Sequence, residues 1–196
     1  MSRLAKTDYP IHELLQKRWS PRAFADKPVE PDKLKRLLEA ARWAPSSFNG
    51  QPWAFIIGTK DQPAEYAKVL ICLVEFNQSW AKAAPVLMIT AARLNFEHNN
   101  EPNRHAFHDV GQAIADLTLQ ATAEGLYVHQ MAGILPDVAK KTLAIPDGWE
   151  AVTGVAIGYL GDPAALPEKL REREATPSPR KPLAQFAFAG SWGKPV

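Results

Sequence analysis

The sequence predicts a fold that mixes helices and strands, of the α+β or the α/β class. Segments whose apolar residues recur at helical spacing alternate along the chain with short, wholly apolar runs of strand length. The chain has 196 residues, of which 46% are hydrophobic and 22% are charged, as is typical of one globular domain with a substantial core. We therefore predict a single domain over residues 1–196, in which 162–196 form a C-terminal extension.

The first part of the chain predicts three helices and one strand. Residues 11–18 form a short helix, which Ser20-Pro21 ends. Residues 31–43 form an amphipathic helix, because apolar residues recur there at i, i+3, i+4 and i+7. Residues 54–58 are an apolar run of strand length, and residues 63–73 are predicted to be helical.

The second part of the chain continues this alternation. Two helices are predicted, at 105–124 and 136–143, and Gly125 suits the position that follows a helix. The polar residues 93–104 predict a loop. The predicted strands are at 86–90, from 127 onward and within 151–160.

The overall composition excludes several classes of protein. The formal net charge of +2 argues against a nucleic-acid-binding protein, which usually carries a strong basic excess. The single cysteine, Cys72, excludes an internal disulfide, and its apolar neighbours predict a buried, unreactive thiol. No stretch has the apolar length of a signal peptide or the ~20 apolar residues of a membrane span. We expect a cytoplasmic protein that binds neither nucleic acid nor a membrane.

Two arginines and a hydroxyl lie close together near the N-terminus, in Arg18-Trp19-Ser20-Pro21-Arg22. Alternate residues of an extended segment point the same way, so Arg18, Ser20 and Arg22 would share one face. Two guanidiniums and one hydroxyl match a phosphate or other anionic oxygens. A solvated, Arg-rich loop remains the alternative from these residues alone.

The stretch PSSFNGQ, residues 45–51, is rich in side chains that both donate and accept hydrogen bonds. Ser46, Ser47, Asn49 and Gln51 offer hydroxyls and amides that suit the edge of a flat heterocycle, and Pro and Gly residues would fix the backbone. The same residue types also form ordinary turns, so a turn without a ligand remains open.

Two further segments are candidates for binding a ligand. Gly133, at the end of HQMAG, follows a strand and would let a ligand approach the backbone, although a simple bulge or turn also fits. Arg180 and Lys181 form a basic pair in the Pro-rich, charged stretch 162–182, where a basic tail is the alternative. The apolar residues 183–192 that follow need a surface to cover, such as a second subunit.

Other kinds of site find little support in the sequence. His105 and His108 have the helical spacing of metal ligands, but no third ligand follows at a characteristic spacing, so no metal is expected. There is no Walker-type loop and no GxGxxG fingerprint. Asp61, Asp109 and Asp116 are interpreted as caps or as members of solvated faces, and no Ser–His–Asp arrangement can be identified from order alone.

Taken together and in order, several motifs resemble the nitroreductase family. They are RWSPRAF, LLEAARWAPSSFNGQPWAF, FNQSWAKAAPVLMI, HDVGQAIADLTLQATAEGL, HQMAG, GYLGDP and PRKPLAQF. The resemblance covers roughly residues 10–194. It implies an α+β fold, a nitroreductase-like three-layer α/β/α sandwich, with a C-terminal segment extending onto the partner subunit of a homodimer that binds FMN.

The resemblance also implies roles for individual residues. Arg18 and Ser20 resemble residues at the FMN phosphate, and Arg22 resembles the cation beside flavin N1 and O2. Asn77 resembles the asparagine at the pyrimidine edge, and the Gly133 N–H would lie near flavin N5. Residues of the 45–51 stretch would come from the other subunit, and the C-terminal basic pair would lie at the phosphate. The complete predicted set is Arg18, Trp19, Ser20, Arg22, Pro45, Ser46, Ser47, Asn49, Gln51, Asn77, Gln130, Met131, Ala132, Gly133, Arg180 and Lys181.

The implied activity is a ping-pong hydride transfer from NAD(P)H through FMN to nitroaromatic, quinone or similar acceptors. The cofactor carries the chemistry, so no catalytic side-chain acid or base is expected. Phe48, Phe96 and Phe107 are the candidates for the substrate site, with membership of the core as the alternative. Ala132 stands where some family members carry glutamate, so the preference of those members for particular acceptors is not carried over.

Two other functions remain open at this stage. A flavin-binding store or sensor would bind FMN without turning over NAD(P)H. From the bare residues, a module that binds a phosphate-bearing ligand such as a nucleotide is also possible; it would be colourless and indifferent to FMN.

Overall fold

The structure, a computed structural model, describes residues 4–176 and 178–196 and divides into two compact units, Met1–Leu166 and Pro167–Val196. The described part of the first unit contains six α-helices and four β-strands. The helices are α1 (Glu13–Lys17), α2 (Pro31–Arg42), α3 (Pro63–Leu70), α4 (Glu75–Ala81), α5 (Ala106–Ala123) and α6 (Pro136–Thr142). The strands are β1 (Trp53–Thr59), β2 (Val86–Arg93), β3 (Tyr127–Met131) and β4 (Trp149–Gly158).

The four strands form one sheet in the order β1-β2-β4-β3, and every neighbouring pair is antiparallel. The α+β class is therefore confirmed, and the α/β alternative, which would need a parallel sheet, is wrong. β1 and β3 are the outermost strands of this sheet. This order places the residues that follow β3 at one side of the molecule, where the candidate site begins.

Helices cover both faces of the sheet. On one face, Phe55 of β1 and Met88 of β2 pack in a core cluster with Leu37 of α2 and Leu117 of α5. On the opposite face α3 approaches so closely that a Cβ at Gly58 would lie 2.7 Å from the Tyr66 Cα. The period of two along each strand sends alternate side chains to the two faces, so the sheet is the middle of three layers.

Three local predictions have informative outcomes. The helix predicted at 63–73 ends at Leu70, and a separate helix that the sequence did not indicate, α4, carries Asn77. Gly125 follows α5 with φ +73°, as expected of a residue after a helix. Cys72 is fully buried, and burial raises the pKa of its thiol, in keeping with an unreactive role.

The second unit contains one described α-helix, α7 (Glu168–Ala175), in a stretch where the sequence showed only proline and charge. A short 3-10 turn covers Leu183–Gln185, and the rings of Phe188 and Trp192 lie 5.0 Å apart. Phe186 and Trp192 remain exposed within the unit. Over the described residues of both units, none of the helices has the length and apolar character that crossing a bilayer requires.

Candidate functional site

The segment Arg18–Arg22, called here the cationic segment, leads from α1 toward β3. The Arg18 Nη1 donates a hydrogen bond to the Ser20 Oγ at 3.3 Å, so these two side chains lie together, as the spacing predicted. Pro21 between Ser20 and Arg22 is buried. The guanidinium of Arg18 and the hydroxyl of Ser20 thus form one polar group beside a buried backbone turn.

Strand β3 holds the cationic segment in place through His129. The imidazole Nδ1 lies 2.9 Å from the Pro21 carbonyl oxygen, and since a carbonyl only accepts, Nδ1 carries the hydrogen. Burial, together with the smaller effect of the nearby Arg22 charge, lowers the pKa of His129 to about 4, so the ring is neutral at pH 7. The Trp19 ring meets Tyr127 edge-on, with the centroids 5.9 Å apart, and adds a second contact to β3.

Trp80 of α4 connects His129 with Arg22. Its ring centroid lies 4.6 Å from that of His129, and the Arg22 guanidinium carbon lies 5.9 Å from the centroid of the Trp80 ring. A guanidinium over an indole is attracted by the ring quadrupole, most strongly where water is excluded. Trp80 is almost completely buried, so its ring is a fixed surface on which the Arg22 guanidinium packs.

Asn77 of α4 joins the loop that follows β3. The Asn77 Nδ2 donates to the Gly133 carbonyl oxygen at 3.0 Å, which leaves its Oδ1 as an acceptor, and the Val74 N–H donates to the same carbonyl at 3.1 Å. A Cβ at Gly133 would lie only 2.6 Å from the Asn77 Nδ2. The sequence suggested that Gly133 lets a ligand approach the backbone. In the structure the absence of a side chain at Gly133 allows Asn77 of α4 to pack closely against it.

The neighbouring residues of the HQMAG motif differ in their environments. Gln130 and Ala132 are exposed, whereas Met131 is buried beside Gly154. Among the residues that the structure describes, none accepts a hydrogen bond from the Gly133 N–H. The structure thus places the Arg22 guanidinium, the Asn77 amide oxygen and the loop that carries Gly133 around α4, and His129 ties the backbone of the cationic segment to β3.

Residues 45–51, called here the polar loop, have an unusual backbone. Phe48, Asn49 and Gln51 have φ values of +52°, +53° and +44°, whereas Gly50 has an ordinary φ of −69°. The sequence analysis expected Gly and Pro residues to fix this backbone, but the positive φ values belong to three residues with side chains. Each such residue costs on the order of 1–3 kcal/mol and persists only where its surroundings enforce it.

Contacts with α5 and with the chain itself hold the polar loop. The Ser46 Oγ accepts from the Gln51 N–H at 3.0 Å, and the Gln112 Nε2 donates to the Pro45 carbonyl oxygen at 3.3 Å. The Ser47 N–H donates to the Asp109 Oδ2 at 3.0 Å. Asp109 is 2% exposed, so its interpretation as part of a solvated face is wrong, and the carboxylate binds the loop backbone.

Two of the three phenylalanines predicted for the substrate site lie together. The Phe48 and Phe96 rings meet edge-on, with the centroids 5.6 Å apart, and His98 lies 6.1 Å from Phe48. Phe48 is 83% exposed and Phe107, at the start of α5, is 45% exposed, so the alternative that they belong to the core is wrong for both. No described ring pairs with Phe107.

A cleft of about 280 Å³ lies on the far side of Phe96. Its lining includes Arg93, whose guanidinium carbon is 5.1 Å from the Trp149 ring centroid and whose Nη1 is 2.8 Å from Glu97. None of the residues of the cationic segment lines this cleft. We therefore do not place the cofactor there.

The C-terminal basic pair belongs to the second unit. Both Arg180 and Lys181 are exposed, and the Arg180 Nη1 donates to the carbonyl oxygens of Ser178 and Pro179, each at 3.0 Å. Their predicted place at a phosphate stays a prediction. Within the described ranges, 4–176 and 178–196, no three His, Cys, Asp or Glu side chains are grouped as they would be around a metal ion.

Sequence reasoning missed the supporting residues of the site. The sequence gives no role to His129 or Trp80, and it predicts only a cap or a solvated face for Asp109. Each of these side chains acts on a partner far away in the chain, so local spacing carries no sign of it. A buried acid on an otherwise apolar helix face is the one signal that would have singled out Asp109.

The chain is similar to several known proteins in sequence and in fold. The model of the nitroreductase family matches residues 15–159. A solved structure described as an oxidoreductase containing FMN is 40% identical, with a TM-score of 0.91 over 96% of each chain. An uncharacterized 15.4 kDa protein of Mycolicibacterium smegmatis is 36% identical over 149 residues, which are 72% of this chain and 99% of that protein. A putative NADH dehydrogenase/NAD(P)H nitroreductase of Stenotrophomonas maltophilia is 29% identical over 80% of this chain and 87% of its own. The chain belongs to the nitroreductase family.

Proposed function

We propose that this protein is an FMN-dependent NAD(P)H oxidoreductase that reduces nitroaromatic, quinone or similar flat acceptors. One observation carries the proposal. Helix α4 holds both Trp80, over which the Arg22 guanidinium lies, and Asn77, which bonds the Gly133 carbonyl oxygen, so one helix links a cation, an amide oxygen and a backbone loop that together suit FMN. Relatives described as containing FMN or as acting with NAD(P)H support it. The alternative of a nucleotide-binding module without a flavin has no comparable support.

The residues present fit FMN chemically. Arg18 and Ser20 supply a cation and a hydroxyl for a phosphate, in the charge-assisted pairing that phosphates favour. The Asn77 Oδ1 is left to accept from an imide N–H, because its Nδ2 is held by the Gly133 carbonyl oxygen. The Gly133 N–H is left to donate toward N5. Asn77 lies on α4 and bonds the loop that carries Gly133, while His129 of β3 bonds the backbone of the cationic segment, and these contacts keep the groups oriented.

The chemistry of the reaction would belong to the cofactor, which when bound accepts a hydride from NAD(P)H and passes electrons to an acceptor in a ping-pong cycle. The chain would contribute electrostatics. Arg22, fixed against Trp80, would stabilise the negative charge that develops at N1 and C2=O on reduction. His129 stays neutral at pH 7 and so adds no second charge to this region.

We further propose a homodimer in which the polar loop of one subunit closes the FMN site of the other. The loop is tied to α5 and Phe96, and its own contacts do not lead to the cationic segment. β1 is an outermost strand, and its apolar residues Phe55, Ile56 and Ile57 are only half-buried, as expected of a surface that another chain covers. Arg180 and Lys181 would reach the phosphate through the C-terminal extension.

The acceptor would lie against the aromatic residues at the polar loop. Phe48 is presented to solvent from a strained backbone position and is propped edge-on by Phe96. A flat, electron-poor ring stacks well on such a surface, and aromatic pairs contribute about 0.5–1.5 kcal/mol beyond their buried area. Nitroaromatics and quinones have this shape, which is why we prefer them to aliphatic acceptors. Phe107, exposed at the start of α5, is proposed to border the same site.

Steady-state kinetics with NADH or NADPH and a quinone or nitroaromatic acceptor test this function. Parallel double-reciprocal lines are expected, since the two substrates use the same site in turn. Phe48→Ala should raise the KM for the aromatic acceptor about 3- to 10-fold while leaving the KM for NAD(P)H little changed. Trp43→Ala removes another exposed aromatic residue, at the end of α2, and serves as the control. A protein that binds FMN and does not turn over NAD(P)H would instead be a flavin store or sensor.

A further inference from the structure

The conformation of the polar loop requires an external support. Three consecutive or nearly consecutive residues with side chains, Phe48, Asn49 and Gln51, have positive φ values. A chain that is free to relax would abandon such a conformation, so something outside the loop must hold it. The contacts that reach the loop backbone from another element come from α5, through Asp109 and Gln112.

Asp109 is the stronger of these two supports. Its Oδ2 accepts the Ser47 N–H at 3.0 Å, at the point where the loop enters the strained region. Its Oδ1 lies 3.3 Å from the Nδ1 of His108, which is itself exposed. The Gln112 amide, one turn further along α5, binds the Pro45 carbonyl oxygen and bonds His108 at 3.1 Å. The helix therefore grips the loop on both sides of Ser46.

Burying a carboxylate at position 109 is unfavourable in free energy. Asp109 shares a helix face with Val110, Ala113 and Ala106, all of them buried, and a buried charge is unfavourable unless hydrogen bonds compensate it. The compensation comes from the Ser47 backbone, in a charge-assisted bond stronger than a neutral one. The carboxylate and the loop conformation therefore depend on each other, since each loses its partner if the other moves.

We propose that Asp109 is a positioning residue that holds the polar loop in the conformation that binds FMN, acting through the Ser47 N–H. This inference rests on the proposed function. It assigns a role to a residue that lies outside the predicted FMN-binding and acceptor-binding residues. Loss of Asp109 would release the loop, and part of the binding free energy of FMN would then be spent on ordering it again.

The test compares FMN dissociation constants of apoprotein variants, measured by quenching of flavin fluorescence, with their unfolding midpoints. Asp109→Ala should weaken FMN about 10- to 100-fold, because a charge-assisted bond to the loop is lost. Asp109→Asn keeps an acceptor oxygen for Ser47 and should weaken FMN less than about 10-fold. Asp116→Ala, on the same helix and half-exposed, removes a carboxylate that does not touch the loop and should leave FMN binding unchanged.

A double-mutant cycle separates positioning from general stability. Ser47→Pro removes the N–H, and proline fits there because Ser46 has φ −148° and ψ +155° and Ser47 begins a 3-10 turn. If Asp109 acts through this N–H, Asp109→Ala should cost much less FMN affinity in the Ser47→Pro background than in the wild type; an independent structural role would give additive losses. Ser47→Ala keeps the N–H and controls for the loss of the side chain.

The outcomes distinguish the two proposals. Two results would overturn the positioning role and leave the proposed function intact. In the first, the wild type binds FMN and both Asp109 variants bind it with dissociation constants within about twofold of the wild-type value. In the second, the effects in the cycle are additive. A wild-type protein that binds no FMN at all would overturn both. If Asp109→Ala does not fold, Ser47→Pro and Ser47→Ala decide the question, since only the first removes the N–H that Asp109 binds. Weaker FMN binding by Ser47→Pro than by Ser47→Ala supports the positioning role, and equal binding overturns it.

Discussion

Replacing Gly133 by alanine perturbs the contact between α4 and the loop after β3 directly. The glycine does not have a positive φ, so alanine would be compatible with the backbone itself. The new Cβ would lie 2.6 Å from the Asn77 Nδ2 and 2.8 Å from the Val74 Cγ2. Both distances are far inside the usual contact distance of about 3.5–4.0 Å, so either α4 or the loop has to move.

The magnitude follows from what has to move. Asn77 is buried and is held by its bond to the Gly133 carbonyl oxygen, and Val74 donates its N–H to the same atom. Overpacking of this kind usually costs about 1–3 kcal/mol, and loss of one neutral hydrogen bond costs about 0.5–1.5 kcal/mol. We expect Gly133→Ala to lower the free energy of unfolding by about 1–3 kcal/mol and to weaken FMN binding, because Asn77 is displaced.

Urea unfolding of the apoprotein measures the first effect, and FMN titration measures the second. Gly111→Ala is the matched control, since a Cβ at that position in α5 would meet nothing within 4 Å. In a helix the same substitution should raise stability by about 0.5–1 kcal/mol. The reasoning would be refuted if Gly133→Ala were as stable as the wild type, or if both alanine variants shifted stability in the same direction.

Three further predictions concern the electrostatics of the site and the C-terminal extension. Arg22→Ala should weaken FMN binding and lower the midpoint potential of the bound flavin by about 30–60 mV, measured by dye equilibration. Arg42→Ala, on the surface of α2, should change neither quantity. An unchanged potential in Arg22→Ala would contradict the role given to Arg22. His129 has a pKa of about 4 in the folded protein against an ordinary value of 6.5, so between these pH values the unfolded chain binds more protons than the folded one. The free energy of unfolding should therefore fall as the pH is lowered from 6.5 to 4. Urea unfolding measured at a series of pH values should show this fall, and it should be smaller in His129→Gln. Deleting residues 177–196 should weaken both the dimer and FMN binding, measured by sedimentation and titration, whereas changing both Arg180 and Lys181 to alanine should weaken FMN alone; a truncated chain that stays dimeric with full FMN affinity would contradict this.

The elements with a clear hydrophobic period could be predicted from the sequence. α2 and α5 were predicted to within one residue at each end, because periodic apolar faces and terminating Pro or Gly residues are local signals. α4 was missed, because EFNQSWA is short and only its buried residues, including Asn77 and Trp80, identify it as packed. The antiparallel arrangement also could not be predicted, since strand direction depends on long-range pairing.

In the candidate site, too, local features could be predicted from the sequence and long-range contacts could not. The grouping of Arg18 with Ser20 followed from the alternation of an extended segment, and the structure confirms it. The strain in the polar loop could not be predicted, because Phe48, Asn49 and Gln51 carry side chains that ordinarily disfavour a positive φ. The anchoring of that loop by Asp109 and of Pro21 by His129 joins residues far apart in the chain, and a single sequence holds no record of such pairs.

The most direct test of the account is an anaerobic absorbance spectrum of the purified protein, recorded before and after addition of NADH or NADPH. We expect a flavin absorbance that is lost on addition of the reduced nucleotide and returns when a quinone or nitroaromatic is added. A flavin spectrum that persists would contradict the reductase function, and a protein that shows no flavin even after incubation with FMN would contradict the cofactor site itself.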